Sequence, residues 1–534
     1  MSLVFEVASA PVEPDRQRAD VACFIGHVAR RRGAALPASV RAQLRADGWI
    51  DGVWARPAVQ VEALDNLPVV IDNWALFDQL YAWERRPLAA TGSAVCATYL
   101  GAALRSFFAR GGRRAIVIRV GDPWPFLEDD TQRSAQLRPR LRRLIPDFAQ
   151  TVAPSRPFAP HDPSTWQGIE HLYGLRDNSF VLFPDLADAC ASQPVAPLAS
   201  PAQTTPETFV ECSVEAEPPP DTGLRRLPAP RLDSAGYAAW MLAVGAARGF
   251  LARRQREHLL LASLPLPWVD TRRTASGGAA VHAQADMRAY LERIGVLRPD
   301  GSRAPDDDTG SASAFVQLAW PWLRSAAGTD LPEGLEPPEG VLAGLLASNA
   351  TRRGCFRSVA GDFSLPYLRD LFDAEPPLSW GLGEGGAVQR LARQVCVFTP
   401  GPLGWMLQSD VTTSPQEAWR FGGASRLLAS ILRTARAQGD HLAFETNGTQ
   451  TWARLRRSLE DLLLGYWNEG AFAGANAAQA FQVRCDRSTM TQADLDAGRL
   501  IAEISVRPAQ AIEVITVRLQ LGNALGATGL REAA

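Results

Sequence analysis

The sequence predicts a multi-domain α/β protein, with an α/β main domain, a C-terminal α+β domain and extended strand arms at both ends. Three observations point there. Short continuous apolar runs recur through the first part of the chain, as strands buried on both faces of a parallel or mixed sheet require. Stretches of helical periodicity with capping residues alternate with those runs. From about residue 376 the texture changes to a glycine-rich loop, two long helical stretches and closing strands. At 534 residues the chain also exceeds one ordinary core.

Taken in order, the first residues alternate. Leu3, Phe5 and Val7 point one way, Val4 and Glu6 the other, and Pro11 and Pro14 then break the pattern. This reads as a strand on an arm over residues 1–20. The main domain opens with the apolar run 21–26. After Val69, Val70 and Ile71, Asp72 is placed to cap a helix on which Trp74, Phe77, Leu80 and Tyr81 share a face. A second helix is expected over about 94–109, stopping at Gly111 and Gly112 and followed by a strand at 115–120. Runs at 180–183 and 259–262 fit the same sheet. Residues 184–230 crowd Pro, Ser and Thr without periodicity and read as a loop-rich insertion, which sets the main domain at 21–375.

The C-terminal domain is expected over 376–510, with helical stretches at 417–437 and 451–469 and strands near 481–485 and 500–506. A last strand, 512–519, lies in a second arm spanning 511–534, with Ile512, Val514, Thr516 and Arg518 as its pairing residues. Unpaired strands of this kind are sticky unless they have a partner. On the second helix Arg454, Arg456 and Arg457 form a basic stretch, a candidate contact for an acidic surface; the plainer reading is a solvated helix face.

Composition narrows the function classes. Hydrophobic residues make up 46% and charged residues 21%, the balance of a folded protein. Lys and Arg total 55 against 57 Asp and Glu, so no global charge draws the chain to nucleic acid or an anionic membrane. The start of the chain lacks the basic and apolar regions of a signal peptide, and no run of about 18 apolar residues offers a membrane span. The expectation is cytoplasmic assembly without membrane insertion. The seven cysteines are scattered without a C-x-x-C pair, which argues against disulfides and zinc.

Chemical motifs are weak. Residues 381–386 match G-x-G-x-x-G, but Pro376 and Pro377 precede them where the dinucleotide fingerprint needs a buried strand. The six histidines occur singly, without metal-ligand spacing. The sequons at Asn349 and Asn447 read as a helix end and a turn. The 15 Trp read as core anchors in preference to a base-stacking platform. No catalytic, cofactor-binding or metal-binding residue is assigned, and a non-enzymatic protein is expected.

Several stretches together resemble the tail sheath proteins of contractile phages and extracellular contractile injection systems. In the N-terminal half these are the run 21–26, the helix led by Asn73, Trp74 and Phe77, and the passage from Tyr99 through Phe107 and Gly111 into 115–120. In the middle they are Phe315 to Trp322, Pro337 to Gly344, and Thr351 to Gly354. The C-terminal run is the most specific: Phe444 to Asn447, Glu469 to Gly474, Phe481 to Asp486, Gly498 to Leu500, and Val506 to Pro508. Departures occur at Leu403 to Met406 and Val411 to Thr413, and Glu339 stands where the family usually has serine.

The resemblance implies a tail-sheath-like fold and a structural subunit that polymerises in six-fold rings around an inner tube and contracts to drive the tube through a target envelope. Its arms would add strands to neighbouring subunits, its C-terminal domain would face the inner tube protein, and baseplate and cap proteins would complete a phage tail or injection particle. Pro11, Pro14 and Gly522 would bound the hinges. The departures admit a specialised sheath-like ring, baseplate or cap component. Because the family's main domain has been likened to subtilisin-type hydrolases, a cryptic α/β hydrolase is the alternative of another class, although no G-x-S-x-G elbow is present.

Overall fold

The computed structural model describes residues 18–146, 148, 158–192, 223–267, 287–302, 311–361, 368–371, 386–401, 404–442, 445–509 and 515–521. Eight strands form the central sheet: β1 (Ala22–Gly26), β2 (Pro68–Ile71), β3 (Ala115–Arg119), β4 (Phe180–Leu182), β5 (Leu259–Ser263), β6 (Val316–Trp320), β7 (Cys396–Gly401) and β8 (Gly404–Leu407). Their spatial order is β8-β7-β6-β5-β4-β1-β3-β2. Strands β3, β1, β4, β5, β6 and β7 run parallel, and antiparallel β2 and β8 close the two edges. Every residue of β1, β3, β4, β5 and β6 is buried, as apolar runs covered on both faces demand.

Helices α1 (Trp74–Leu80), α2 (Tyr99–Ala109), α3 (Asp130–Leu144), α4 (Ser234–Arg254) and α5 (Glu339–Arg352) accompany this sheet. The cap of α1 is Asn73, whose side chain accepts from the Leu76 amide at 2.9 Å, and not Asp72, which pairs with Arg114 at 2.7 Å. Helix α2 starts later than expected. Val95–Cys96 pairs with Arg86–Pro87 as a short antiparallel ladder, and the Thr98 hydroxyl then caps the helix through the Gly101 amide. Helix α5 lies close against α2. A side chain on Gly340 would approach the Ala103 carbonyl to 2.4 Å, so glycine is what permits that separation.

The second core is built from α6 (Gly422–His441), α7 (Thr449–Asn468), β9 (Phe481–Arg484) and β10 (Leu500–Val506), and β11 (Ile515–Leu521) pairs with β10. The helix expected from 417 is interrupted. Phe421 is extended and bridges to Val411, so Glu417–Arg420 is a separate turn ahead of α6. The expected boundary at 376 precedes two strands that join the first sheet, because Val395, Cys396, Val397, Phe398 and Leu407 pack into the first core. The change of core falls near Gly422 instead.

The free cysteines Cys23, Cys96, Cys190, Cys355, Cys396 and Cys485 are buried, and burial pushes each thiol up, away from the reactive thiolate. Cys212, the glycine-rich motif at 381–385 and most of the insertion expected at 184–230 lie outside the described residues. Among the described residues no helix is long and apolar enough to cross a membrane.

Candidate assembly interface

The C-terminal sheet is built by alternation. Along β10, Leu500, Ala502, Ile504 and Val506 face the second core while the intervening residues are half-buried. Strand β9 pairs antiparallel with β10 from Phe481 opposite Val506 to Arg484 opposite Glu503. Strand β11 pairs on the other side, from Ile515 opposite Val506 to Leu521 opposite Leu500. Thr516 thus sits opposite Ser505 and Arg518 opposite Glu503, in a ladder within the same chain. The strand read from the sequence as an outward arm is, over 515–521, closed onto its own sheet. Leu3, Phe5, Val7, Ile512 and Val514, with the hinge positions Pro11, Pro14 and Gly522, lie outside the described residues. With the order β9-β10-β11, both outer strands present a ladder edge among the described residues, the type of surface that accepts an added strand.

Helix α7 presents the arginines. Its buried stripe, Trp452, Leu455, Leu459, Leu462, Leu463 and Tyr466, faces the second core, and the opposite face carries exposed Arg454, Arg456 and Arg457. Arg454 pairs with Glu445 at 2.6 Å and Arg456 with Glu460 at 3.4 Å. Exposed pairs of this kind contribute about 0 to 1 kcal/mol, so they hold the side chains only lightly. The Asn447 side chain accepts from the Trp452 indole at 2.7 Å and donates to the Arg499 carbonyl at 3.1 Å. It ties the start of α7 to the sheet, which accounts for asparagine in that turn. Asn349, in the other sequon, is buried and donates to the Gly354 and Arg357 carbonyls.

The hydrolase alternative places its chemistry at the carboxyl ends of the parallel strands, where β1 lies between β3 and β4. His27 follows β1, and Asp185 follows β4. The Asp185 carboxylate accepts from the His27 amide at 2.6 Å and the Leu100 amide at 3.2 Å, so it joins the end of β1 to the start of α2. Burial pushes this carboxyl up to about 7. The His27 ring is fully buried edge-on to Trp124, 3.9 Å from Asp185, and neither ring nitrogen has a hydrogen-bond partner among the described residues. Burial, reinforced by Arg143, Arg140, Arg119 and Arg86, lowers it to about 3. No serine hydroxyl is hydrogen-bonded to it there. The other buried histidine next to a strand, His258, faces the carbonyls of Gln255 and Leu175. Asp188 pairs with Arg86 at 2.7 Å and Glu128 with Arg140 at 2.6 Å, which makes this edge a set of buried ion pairs.

Glu339, the departure noted in the sequence, occupies the first turn of α5 and is buried, its amide donating to the Ser263 hydroxyl at 3.3 Å. Burial holds its carboxyl well above the ordinary range. Among the described residues no group of three or more His, Cys, Asp or Glu is placed to hold a metal ion.

No protein-family model matches the chain, and no curated protein matches it. Solved structures do. A chain in the anti-feeding prophage (AFP) baseplate in its contracted state aligns at TM-score 0.52 and 16% identity, over 96% of this chain and 95% of that one. A chain in the six-fold symmetrised AFP baseplate aligns at TM-score 0.51 and 16% identity, over 96% of both chains. A chain of the AFP helical sheath in its contracted state aligns at TM-score 0.48 and 17% identity, over 96% of this chain and 98% of that one. At these identities the likeness is one of fold, and it runs across both cores. The chain shares its overall fold with these chains of the anti-feeding prophage baseplate.

Proposed function

We propose that this chain is a structural sheath subunit of a phage-like contractile particle, polymerising in six-fold rings around an inner tube and contracting to drive that tube through a target envelope. One observation carries the reading: the fold likeness to chains of such a particle covers 96% of this chain and at least 95% of theirs. Self-association is the first partner implied, followed by the tube protein, baseplate and cap. Neither nucleic acid nor a membrane is a partner in this reading, and assembly takes place in the cytoplasm. The strand arms at 1–20 and 511–534 are the proposed links between subunits; the pairing of β11 with β10 within one chain supports the second, because a neighbour's copy of that strand carries the same pairing pattern. Arg454, Arg456 and Arg457 are the proposed tube contact, exposed on a helix whose other face is core.

A second reading has a specific observation behind it. Both of the structures above with a TM-score over 0.5 are baseplates, which favours a sheath-like ring near the baseplate as the alternative. Negative-stain electron microscopy of the purified protein, alone and coexpressed with the tube protein of its own gene neighbourhood, tests both. Long tubes are expected for a main sheath subunit and isolated rings for a baseplate or cap component. Monomers in both samples would overturn the assembly reading.

A further inference from the structure

The two main hydrophobic cores are distinct clusters, and among the described residues α6 enters the first only through Ala429, so apolar packing ties them together narrowly. Polar contacts cross between them as well. Asp410 follows the last strand of the central sheet and is fully buried; Arg426 belongs to the first turns of α6 and is also buried. The two meet as a fork, Arg426 Nη1 to Asp410 Oδ1 at 2.7 Å and Nη2 to Oδ2 at 2.6 Å. Gln317, buried on β6, donates to Asp410 Oδ1 at 3.0 Å and to the Val411 carbonyl at 3.2 Å. Arg426 also donates to the carbonyls of Cys355 at 2.9 Å and Arg357 at 3.2 Å, and Asp410 accepts from the Val359 amide at 3.1 Å.

The residues around this knot are shaped to admit it. A Cβ on Gly422 would stand 2.5 Å from both Asp410 Oδ1 and Gln317 Nε2, so only glycine leaves room. Burial alone would raise the Asp410 carboxyl, and the Arg426 guanidinium together with the Gln317 and Val359 donors more than offsets it, leaving it below its ordinary range. Beside the knot the seam is open: a cavity of 330 Å³ lies among Phe356, Arg357, Gly423, Leu427 and Ala471. Further out, the Arg433 guanidinium donates to the Glu257 carbonyl and Arg436 pairs with the Glu257 carboxylate.

We infer that the buried Asp410–Arg426–Gln317 knot is the joint that locks the sheet body and the C-terminal body into a single rigid unit. Forked, fully hydrogen-bonded contacts specify one geometry, whereas an apolar seam with a cavity beside it permits sliding. Losing one partner of such a pair leaves the other buried and uncompensated, and the strain is relieved by opening the seam, since neither core contains the knot. This inference does not depend on assembly and concerns the isolated subunit.

The test is a distance measurement on the full chain. Spin labels are placed at exposed positions of each body, through Arg113→Cys and Arg484→Cys in a Cys212→Ser background, and read by pulsed electron paramagnetic resonance. The parent protein is expected to show one narrow distance distribution. Arg426→Met is expected to broaden it and to raise protease cleavage at residues 354–359 by about tenfold, because sub-global opening exposes such segments first. If Arg426→Met yields no folded protein, Asp410→Asn, which keeps the shape but removes the charge, is measured in the same way. A folded variant whose distribution stays narrow overturns the inference. So does loss of the fold of both bodies in both variants, since the knot would then be holding a core together and not joining two.

Discussion

At the scale of the residue, buried carboxyls set how this protein responds to pH. Glu336 is fully buried and accepts from the Ser106 hydroxyl at 2.8 Å on both of its oxygens. Burial pushes it up from 4.5 to about 7, and Asp185 rises to about 7 for the same reason. For both, the folded state holds its proton more tightly than the unfolded chain does. Their stabilising contribution is therefore complete below the unfolded values and is lost as pH rises through about 7. His27, lowered to about 3, and His258, lowered to about 4, act in the opposite sense. Their contribution is present above 6.5 and is lost as pH falls through those values. Glu336→Gln removes one ionisation while keeping an acceptor for the Ser106 hydroxyl. Its melting temperature should match the parent at about pH 5 and exceed it at about pH 8; thermal unfolding across that range measures the difference. A gap that does not widen with pH would mean that Glu336 is not the titrating group.

At the scale of the element, packing decides where helices begin and how near they lie. Gly340 lets α5 approach the backbone of α2, and Gly344 sits 2.7 Å, measured from its would-be Cβ, from the Phe107 carbonyl. Gly340→Leu forces those helices apart and should destabilise the protein by about 3 kcal/mol, within the range for overpacking a well-filled core; a denaturant titration reads this as a lower midpoint. The arginines on α7 behave differently. Reversing all three, Arg454→Glu, Arg456→Glu and Arg457→Glu, breaks only exposed pairs, so stability should change by no more than about 1 kcal/mol. Recruitment of the tube protein in a pull-down should fall at low salt. A retained pull-down would return the basic face to plain solvation. Much of this level was legible in the sequence. The buried strands, α7 and the alternation along β10 each carry a local pattern, and the runs at 21–26 and 115–120 became neighbouring parallel strands. The errors arose where a long-range contact overrode a local one. Asp72 has a capping side chain but is taken by Arg114, Phe421 is turned extended by its bridge to Val411, and residues 396–407 were assigned to the C-terminal domain although their strands complete the first sheet. The knot of Asp410, Arg426 and Gln317 was invisible for the same reason, since three residues spread from 317 to 426 share no spacing that marks a site.

At the scale of the whole molecule, the question is where the free energy of assembly resides. The described residues form two main cores, the proposed reading adds two arms, and a rigid subunit linked by extensible arms can change lattice geometry without unfolding. Strand β11 makes the distinction measurable. Over 515–521 it forms a complete antiparallel ladder with β10 inside one chain, so removing it costs the isolated subunit its own edge strand as well as any link to a neighbour. On the proposed reading residues 1–10 serve a neighbouring subunit and not the cores of their own chain. The two truncations should therefore differ. Deleting 1–10 is expected to leave the melting temperature of the monomer unchanged and abolish tubes or rings in negative stain. Deleting 511–534 is expected to abolish assembly and also lower the melting temperature, because β10 becomes an edge. About six backbone hydrogen bonds at roughly 0.5 to 1.5 kcal/mol net each set the scale of what either arm supplies, enough to matter only when repeated around a ring. Adding a peptide spanning 511–534 to the second truncation should restore its melting temperature through pairing with β10, without restoring tubes, because the peptide fills the edge but is tethered to no neighbour. Long tubes from either truncation would show that the contacts between rigid bodies suffice, and would move the arms from the cause of assembly to its consequence.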